Sequence, residues 1–208
     1  MKQSASRQLY SHWNDMRRGR ASPERADMDP SAIRGCLADS FMLEIDRGLT
    51  YPFRLCGTRL AALFTHEPKG RGFLEFWDAE SVRDIASLIA CVHDETTIIV
   101  AGVAAGASGA APCDYELLML PLRHQGKTHA RILGCFAPVA LPAWLGLVEG
   151  HPLALRSWRS INQAALRLAD VAMAQTDRGA FGAAGVFDRR SDAAQRRAHL
   201  VVHEGGRA

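Results

Sequence analysis

The sequence predicts an α+β domain: a five-stranded antiparallel sheet with helices on one face, an N-terminal flanking helix and a C-terminal helical extension. Three observations predict this fold. Apolar residues recur at helical spacing in two separate segments, and a pair of short strands lies between those segments. Three apolar segments rich in strand-forming residues then follow one another with short connections, as in an antiparallel meander.

The first predicted element is an amphipathic helix over residues 4–18. Leu9, Trp13 and Met16 recur at spacings of four and three residues, so they form one apolar stripe. Such a stripe must be buried, either on the chain's own sheet or on the same helix of a second chain. We expect a homodimer in which these three residues are contact residues.

A connector, two strands and a short helix are predicted next. The connector, residues 20–30, contains two prolines and alternating charges, so it should lack regular structure. Alternation of apolar residues from 41 to 45 predicts a strand, and residues 53–56 predict a second strand that pairs with it as a hairpin. Gly57 and Thr58 then open a short helix.

The longer helix and the meander follow. Apolar residues between positions 79 and 93 fall on one helical face, which predicts a helix packed against the sheet. Three strands are predicted next, over residues 96–103, 115–122 and 128–138. The Gly/Ala-rich stretch 102–111 is predicted to be a loop between the first two of them.

The remaining chain is predicted to be a helical extension and a tail. A helix is expected around residues 163–174, whereas the chain from residue 177 onward has few large apolar side chains and is expected to be disordered. The predicted division is therefore 1–30 for the helix and connector, 31–140 for the core domain, 141–176 for the helical extension and 177–208 for the tail.

Three groups of residues carry a resemblance to a known family. They are Trp13, Gly19, Arg20, Pro23, Arg25, Asp27, Asp29, Pro30, Ile33 and Leu37, then the junction Phe53-Arg54-Leu55-Cys56-Gly57-Thr58, then Phe76-Trp77. In this order and separation they resemble a bacterial PAS-like family of short, stand-alone proteins, and the element order resembles the PAS fold. Members of that family tend to carry a glycine near the end of the short helix, where this chain has Phe64-Thr65-His66.

The resemblance implies a non-enzymatic sensory or regulatory role in bacterial signal transduction, through a small-molecule ligand, a partner signalling protein or both. In such a fold the helices that cross the sheet can leave an apolar pocket with a few placed polar groups. We expect this pocket to be lined by Arg54, Phe76, Trp77, Ile89 and His93.

Charged residues on the connector have two interpretations. Arg25, Asp27 and Asp29 lie within five residues of one another, and they could form a polar network with Arg54 or with a ligand. We favour a structural role, in which the carboxylates cap the following turn and pair with nearby arginines.

An enzyme, or a redox or haem sensor that uses a cysteine or histidine on the same fold, is the alternative. Cys56 and Cys113 are candidate reactive groups, and Cys91 and His93 are candidate ligands of a haem or metal. A lone histidine at a helix end more often interacts with the helix dipole, and the Cys-x-x-Cys-His sequence for covalent haem is absent. We therefore assign no catalytic residue and no metal, and leave the cofactor unknown.

Composition restricts partners and location. The chain has 25 Lys and Arg against 22 Asp and Glu, a formal charge of +3, which is far from the basic excess of a nucleic-acid-binding protein. No stretch has the apolar length of a signal peptide core or of a membrane span, and the five cysteines are odd in number and widely spaced. These features predict a cytoplasmic protein with reduced, buried thiols.

Overall fold

One antiparallel sheet organises the part of the chain that the computed structural model describes, residues 1–107, 109–161 and 202–203. The helices there are α1 (Ser4–Arg17), α2 (Thr58–Leu63) and α3 (Val82–Asp94). The strands are β1 (Ser40–Glu44), β2 (Phe53–Cys56), β3 (Ile98–Ala107), β4 (Ala110–His124), β5 (Lys127–Pro138), β6 (Leu153–Ile161) and β7 (Val202–His203). Short 3-10 helices cover Arg25–Asp27, Leu37–Asp39 and Phe73–Phe76.

The strand order is β2-β1-β5-β4-β3-β6-β7, and every pairing is antiparallel. The α+β class, the hairpin of β1 with β2 and the meander from β3 to β5 are confirmed. The predicted number of strands was too low, because β6 pairs along β3 in the region expected to be a helical extension. The predicted helix around 163–174 and the predicted tail from 177 lie outside the described residues, apart from 202–203.

The Gly/Ala-rich stretch expected to be a loop is mostly strand. β3 continues to Ala107 and β4 begins at Ala110, and Ala107 pairs with Ala110. Partners on both sides, β4 and β6, hold this weakly strand-forming sequence in the sheet. Pairing between distant residues has overridden local preference.

Each face of the sheet carries its own apolar cluster. Leu117 and Met119 of β4 point into the cluster shared with α2 and α3, while Leu118 and Leu120 point into the cluster shared with α1. α1 therefore packs on the face opposite to α3 and is an integral layer of the fold.

The stripe on α1 is buried within its own chain. Leu9 and Trp13 have no exposed surface, and Met16 is half-buried. The assignment of Leu9 and Trp13 as contact residues of a homodimer is corrected accordingly, because the sheet of the same chain already covers them. Within the described residues, no helix has the length and apolar character needed to cross a bilayer.

Candidate ligand-binding groove

The connector and the junction between β2 and α2 lie side by side around one groove, with a volume of about 390 Å³. We call it the connector groove. It is lined by Arg25, Ala26, Met28, Pro30, Ile33, Leu37, Ser40, Phe41, Met42, Leu55, Cys56, Gly57 and Leu133. Two of the three groups of residues that carried the family resemblance thus meet at a single site.

The groove is apolar and open to solvent. Leu37 is 38% exposed and Leu55 is 50% exposed, so solvent reaches apolar side chains of the groove. Arg25 is the one charged residue among the thirteen that line the groove. A cavity of this size with few polar groups has the character of a small-molecule site.

Hydrogen bonds fix the start of the connector. The Glu24 N–H donates to the Asp27 carboxylate at 3.2 Å, and the guanidinium of Arg20 donates to the same carboxylate. The hydrogen bond from Arg20 lowers the pKa of Asp27. The Arg123 N–H also donates to the Pro23 carbonyl at 2.9 Å, which ties the connector to β4.

The second carboxylate of the connector has a similar structural task. Asp29 accepts hydrogen bonds from the N–H and the hydroxyl of Ser31, which lower its pKa. Its own N–H donates to His12 of α1 at 3.2 Å. The expected structural role is therefore divided between the two carboxylates: Asp27 pairs with an arginine, Arg20, whereas Asp29 caps the following turn at Ser31 and forms no ion pair with a described arginine.

Arg25 differs from its neighbours. Its side chain is exposed, and it makes no hydrogen bond or ion pair with any described residue. Arg54, its suggested network partner, instead pairs with Glu44 on the neighbouring strand. A free guanidinium beside an apolar cavity is the most conspicuous electrostatic feature of this site.

The junction after β2 closes the opposite side of the groove. The Gly57 N–H donates to the Ser40 carbonyl at 2.8 Å, so the chain leaves the sheet directly under the connector. A Cβ atom at Gly57 would collide with the carbonyl oxygens of Leu37 and Ala38. Burial, together with the charge of Glu67, raises the pKa of the Cys56 thiol to about 12.

Some side chains that line the groove also belong to the apolar cluster on which α1 packs. Ile33, Met42 and Leu133 line the groove and also belong to the cluster that buries Leu9 and Trp13. A molecule in the groove would therefore contact the same side chains that hold the N-terminal helix.

The residues predicted to line a pocket are dispersed. Phe76, Trp77 and Ile89 are buried in the main core, Arg54 is exposed, and none of the five lines the connector groove. His93 Nδ1 lies 2.7 Å from Asp94 Oδ1 at the end of α3. The structure does not bring these five residues together.

Aromatic rings fill the space in which that pocket was expected. The ring centroids of Phe64 and Phe76 are 4.0 Å apart, and those of Phe53 lie 5.8 Å from Phe76 and 5.5 Å from Phe73. Phe41 extends the stack, since its centroid is 5.5 Å from that of Phe73. The core under α2 and α3 is therefore closely packed.

A second cavity, of about 370 Å³, has mixed charge. It lies between the start of the chain and β6, and Glu116 and Arg159 both line it. The carboxylate of Glu116 is already engaged, because it accepts hydrogen bonds from the N–H groups of Lys2 and Gln3 at 2.6 and 3.1 Å. The connector groove is the better candidate for ligand binding.

Metal-ligating and thiol groups are unfavourably placed for chemistry. Among residues 1–107 and 109–161, no group of three or more His, Cys, Asp or Glu side chains is arranged to hold a metal ion. Burial raises the pKa of all five free cysteines, which keeps them as thiols at neutral pH.

The sequence analysis identified the two segments that form the walls of the groove, but it did not predict that they enclose a groove. The signal that could have led to it is Leu55, an apolar residue at the solvent-facing position of a short strand beside Arg54. An exposed leucine on this strand, together with the two prolines of the connector, could have predicted an apolar binding site at this edge of the sheet.

Comparison with known proteins identifies the family of this chain. Residues 1–137 match a family model described as PAS domain. The LOV protein of Rhodobacter sphaeroides is 12% identical with a TM-score of 0.39, over 56% of this chain and 71% of that chain. The PAS domain of an HTR-like protein from Haloarcula marismortui is 18% identical with a TM-score of 0.33, over 52% of this chain and 91% of that chain. A search of curated protein sequences found no match.

Proposed function

Since this chain belongs to the PAS domain family, whose members are generally sensory, we propose that it is a non-enzymatic sensor in bacterial signal transduction. Its connector groove binds a small, largely apolar molecule. The occupancy of the groove is passed to a partner signalling protein through α1 and the connector.

The observation that carries this proposal is the lining of the groove. Twelve of the thirteen lining residues are uncharged, most of them are apolar, and the volume of about 390 Å³ is in the usual range for ligand sites. The aromatic core, in contrast, leaves little space under α2 and α3.

Transmission follows from the side chains that the groove shares with α1. Met42 and Leu133 contact both the groove and the cluster that holds Leu9 and Trp13. A ligand that favours one packing of these side chains shifts the population of α1 positions. The exposed side of α1 and the connector is then the surface that a partner reads.

The remaining parts of the proposal concern assembly and location. A homodimer stays part of it, with a contact that excludes Leu9 and Trp13 because these residues are buried. Five free cysteines, all of them half-buried or buried, support a reducing cytoplasmic setting.

The alternative, an enzyme or redox sensor that uses a thiol, has less support. A reactive cysteine needs a lowered pKa, whereas burial raises the pKa of Cys56, the cysteine that lines the groove, to about 12. Its thiol is an apolar contact surface at neutral pH.

Binding of an uncharged fluorescent probe, N-phenyl-1-naphthylamine, tests the proposal with the full chain. We expect its fluorescence to rise with saturation, and we expect hydrogen exchange of the α1 amides, residues 4–17, to slow when it is bound. Native mass spectrometry of the purified protein would show whether a molecule is retained.

The matched variants are Leu55→Gln in the groove and Leu141→Gln outside it, since both leucines are at least half exposed. Leu55→Gln should weaken probe binding and Leu141→Gln should leave it unchanged. Two results would refute the assignment of the groove: equal probe binding by both variants, or amide hydrogen exchange in α1 that is the same with and without the probe.

A further inference from the structure

We propose that the ligand of the connector groove is an anionic amphiphile, a free medium-chain carboxylate whose chain lies along the groove and whose carboxylate pairs with Arg25. This inference rests on the proposed function and names the chemical class of its ligand.

The charge of the groove is the first argument. Arg25 is the one charged residue in the lining, and it has no partner among the described residues. Three acidic side chains of this region are paired with arginines, Asp27 with Arg20, Asp39 with Arg59 and Glu24 with Arg123, and the Asp29 carboxylate accepts hydrogen bonds from Ser31. Arg25 is therefore the charged group of the lining with which a ligand can pair, and its positive charge favours an anionic head group.

The other polar groups of the groove do not offer a competing site for a head group. The Ser40 hydroxyl donates to the Cys36 carbonyl at 2.7 Å, and the Cys56 thiol contacts the Gly57 carbonyl at 3.6 Å. A carboxylate placed among the leucines and methionines would lose its hydration without compensation. Arg25 thus fixes the orientation of the ligand, with its charged end outward and its apolar end inward.

The shape of the apolar part favours a flexible chain. The lining is mainly aliphatic, with the methionines Met28 and Met42 and the leucines Leu37, Leu55 and Leu133, and such side chains adapt to an irregular chain. At about 30 Å³ for each water-sized group, a volume of about 390 Å³ holds on the order of a dozen non-hydrogen atoms. Decanoate has this size.

Calorimetric titration of the full chain with octanoate, decanoate and 1-decanol separates the two parts of the inference. Each added methylene should tighten binding about fourfold, so decanoate, with two more methylenes, should bind about fifteenfold more tightly than octanoate. Decanoate should also bind about fivefold more tightly than the uncharged 1-decanol, because only the carboxylate pairs with the guanidinium.

Arg25→Gln removes the proposed head-group contact, and Arg34→Gln is its matched control, since Arg34 is an exposed arginine near the same connector that does not line the groove. Arg25→Gln should abolish the preference for decanoate over 1-decanol, and Arg34→Gln should preserve it. Arg25→Glu should reverse the preference, so that decylammonium binds more tightly than decanoate. Thermal melting of the three variants should match that of the wild type, because Arg25 and Arg34 are exposed and neither side chain makes a hydrogen bond or ion pair with a described residue.

The outcomes distinguish the inference from the function on which it rests. If decanoate and 1-decanol bind equally to the wild type, and Leu55→Gln weakens both, the anionic head is wrong and the groove still binds apolar ligands. If chain length has no effect and Leu55→Gln binds like the wild type, both the inference and the proposed function fail.

Discussion

The indole N–H of Trp13 in α1 donates a hydrogen bond of 2.8 Å to the carbonyl oxygen of Pro121 in β4, and Trp13 is completely buried. This polar contact lies within the apolar cluster between the helix and the sheet. A shift of α1 along the sheet would leave both the N–H and the carbonyl buried without a partner, which costs about 1–3 kcal/mol for each group. The hydrogen bond therefore fixes the position of α1.

Trp13→Ala should lower the free energy of unfolding by about 3–5 kcal/mol, because it opens a cavity between α1 and β4 and leaves the Pro121 carbonyl unpaired. Met16→Ala, on the half-buried edge of the same stripe, is the control and should cost about 1 kcal/mol or less. Urea unfolding followed by far-UV circular dichroism measures both. A Trp13→Ala protein with wild-type stability that merely dissociates would show that the stripe faces a second chain.

Gly57→Ala should be strongly destabilising, by about 2 kcal/mol or more, because its Cβ would overlap the carbonyl oxygens of Leu37 and Ala38. Those oxygens belong to the backbone, which cannot move aside as a flexible side chain does. Gly106→Ala in β3 is the matched control, since a Cβ there meets nothing within 4 Å and φ is not positive. Its stability should equal or slightly exceed that of the wild type. Thermal melting of the two variants makes the comparison, and equal melting temperatures would contradict the close packing at Gly57.

Two helices and the first strand could be predicted, because each shows a regular spacing of apolar residues along the chain. The 3.6-residue period located α1 and α3, and the alternation from Phe41 located β1. The extension of β3 beyond Val103 was missed, because Ala104 and Ala105 have weak strand preference and are held in the sheet by β4 on one side and by β6, which is distant in sequence, on the other.

The site was harder to predict than the fold. Arg54 and His93 were grouped with core residues because a pocket was assumed on the concave face of the sheet. Whether the aromatic side chains leave a void there depends on how their rings pack, which the sequence does not show. Arg25 was singled out as part of a charged run. That it forms no ion pair with a described residue could not be inferred, because this depends on the pairing of Asp27 with Arg20 and of Arg54 with Glu44.

The departure from the family at the end of α2 has a structural cost. Thr65 follows the helix with a φ of 57°, in the left-handed region that favours glycine, and its N–H donates to the Ala62 carbonyl at 3.2 Å. Thr65→Gly should therefore raise the free energy of unfolding by about 0.5–1 kcal/mol, even though glycine has more freedom in the unfolded chain.

Thr58→Gly is the control for that change, because Thr58 begins α2 with a helical backbone. It should lower stability by about 0.5 kcal/mol, the opposite sign. Guanidinium unfolding curves of the two variants would show the difference. A loss of stability in both would mean that the strain at Thr65 is outweighed by its side-chain hydrogen bond to the Phe64 carbonyl at 2.7 Å.

The Cys56 thiol should make stability fall at alkaline pH. Burial raises the pKa of this thiol to about 12 in the folded protein, whereas it is about 8.5 in an unfolded chain. The unfolded state therefore loses its proton first as the pH rises, which favours unfolding. The stabilisation is complete below pH ~8.5 and is lost progressively toward the folded pKa, at up to about 1.4 kcal/mol for each pH unit.

Cys56→Ser removes this titration, because a serine hydroxyl does not ionise in that range, and it leaves the other buried thiols in place. Urea unfolding of the wild type and of Cys56→Ser, in the presence of a reductant, should give parallel pH dependences from pH 6.5 to 8. Above pH ~8.5 the wild type should lose stability more steeply than the variant, by about 1.4 kcal/mol for each pH unit. Curves that stay parallel up to pH 10.5 would mean that the thiol ionises as easily in the folded protein as in water, and the wall of the groove formed by Cys56 would then be hydrated.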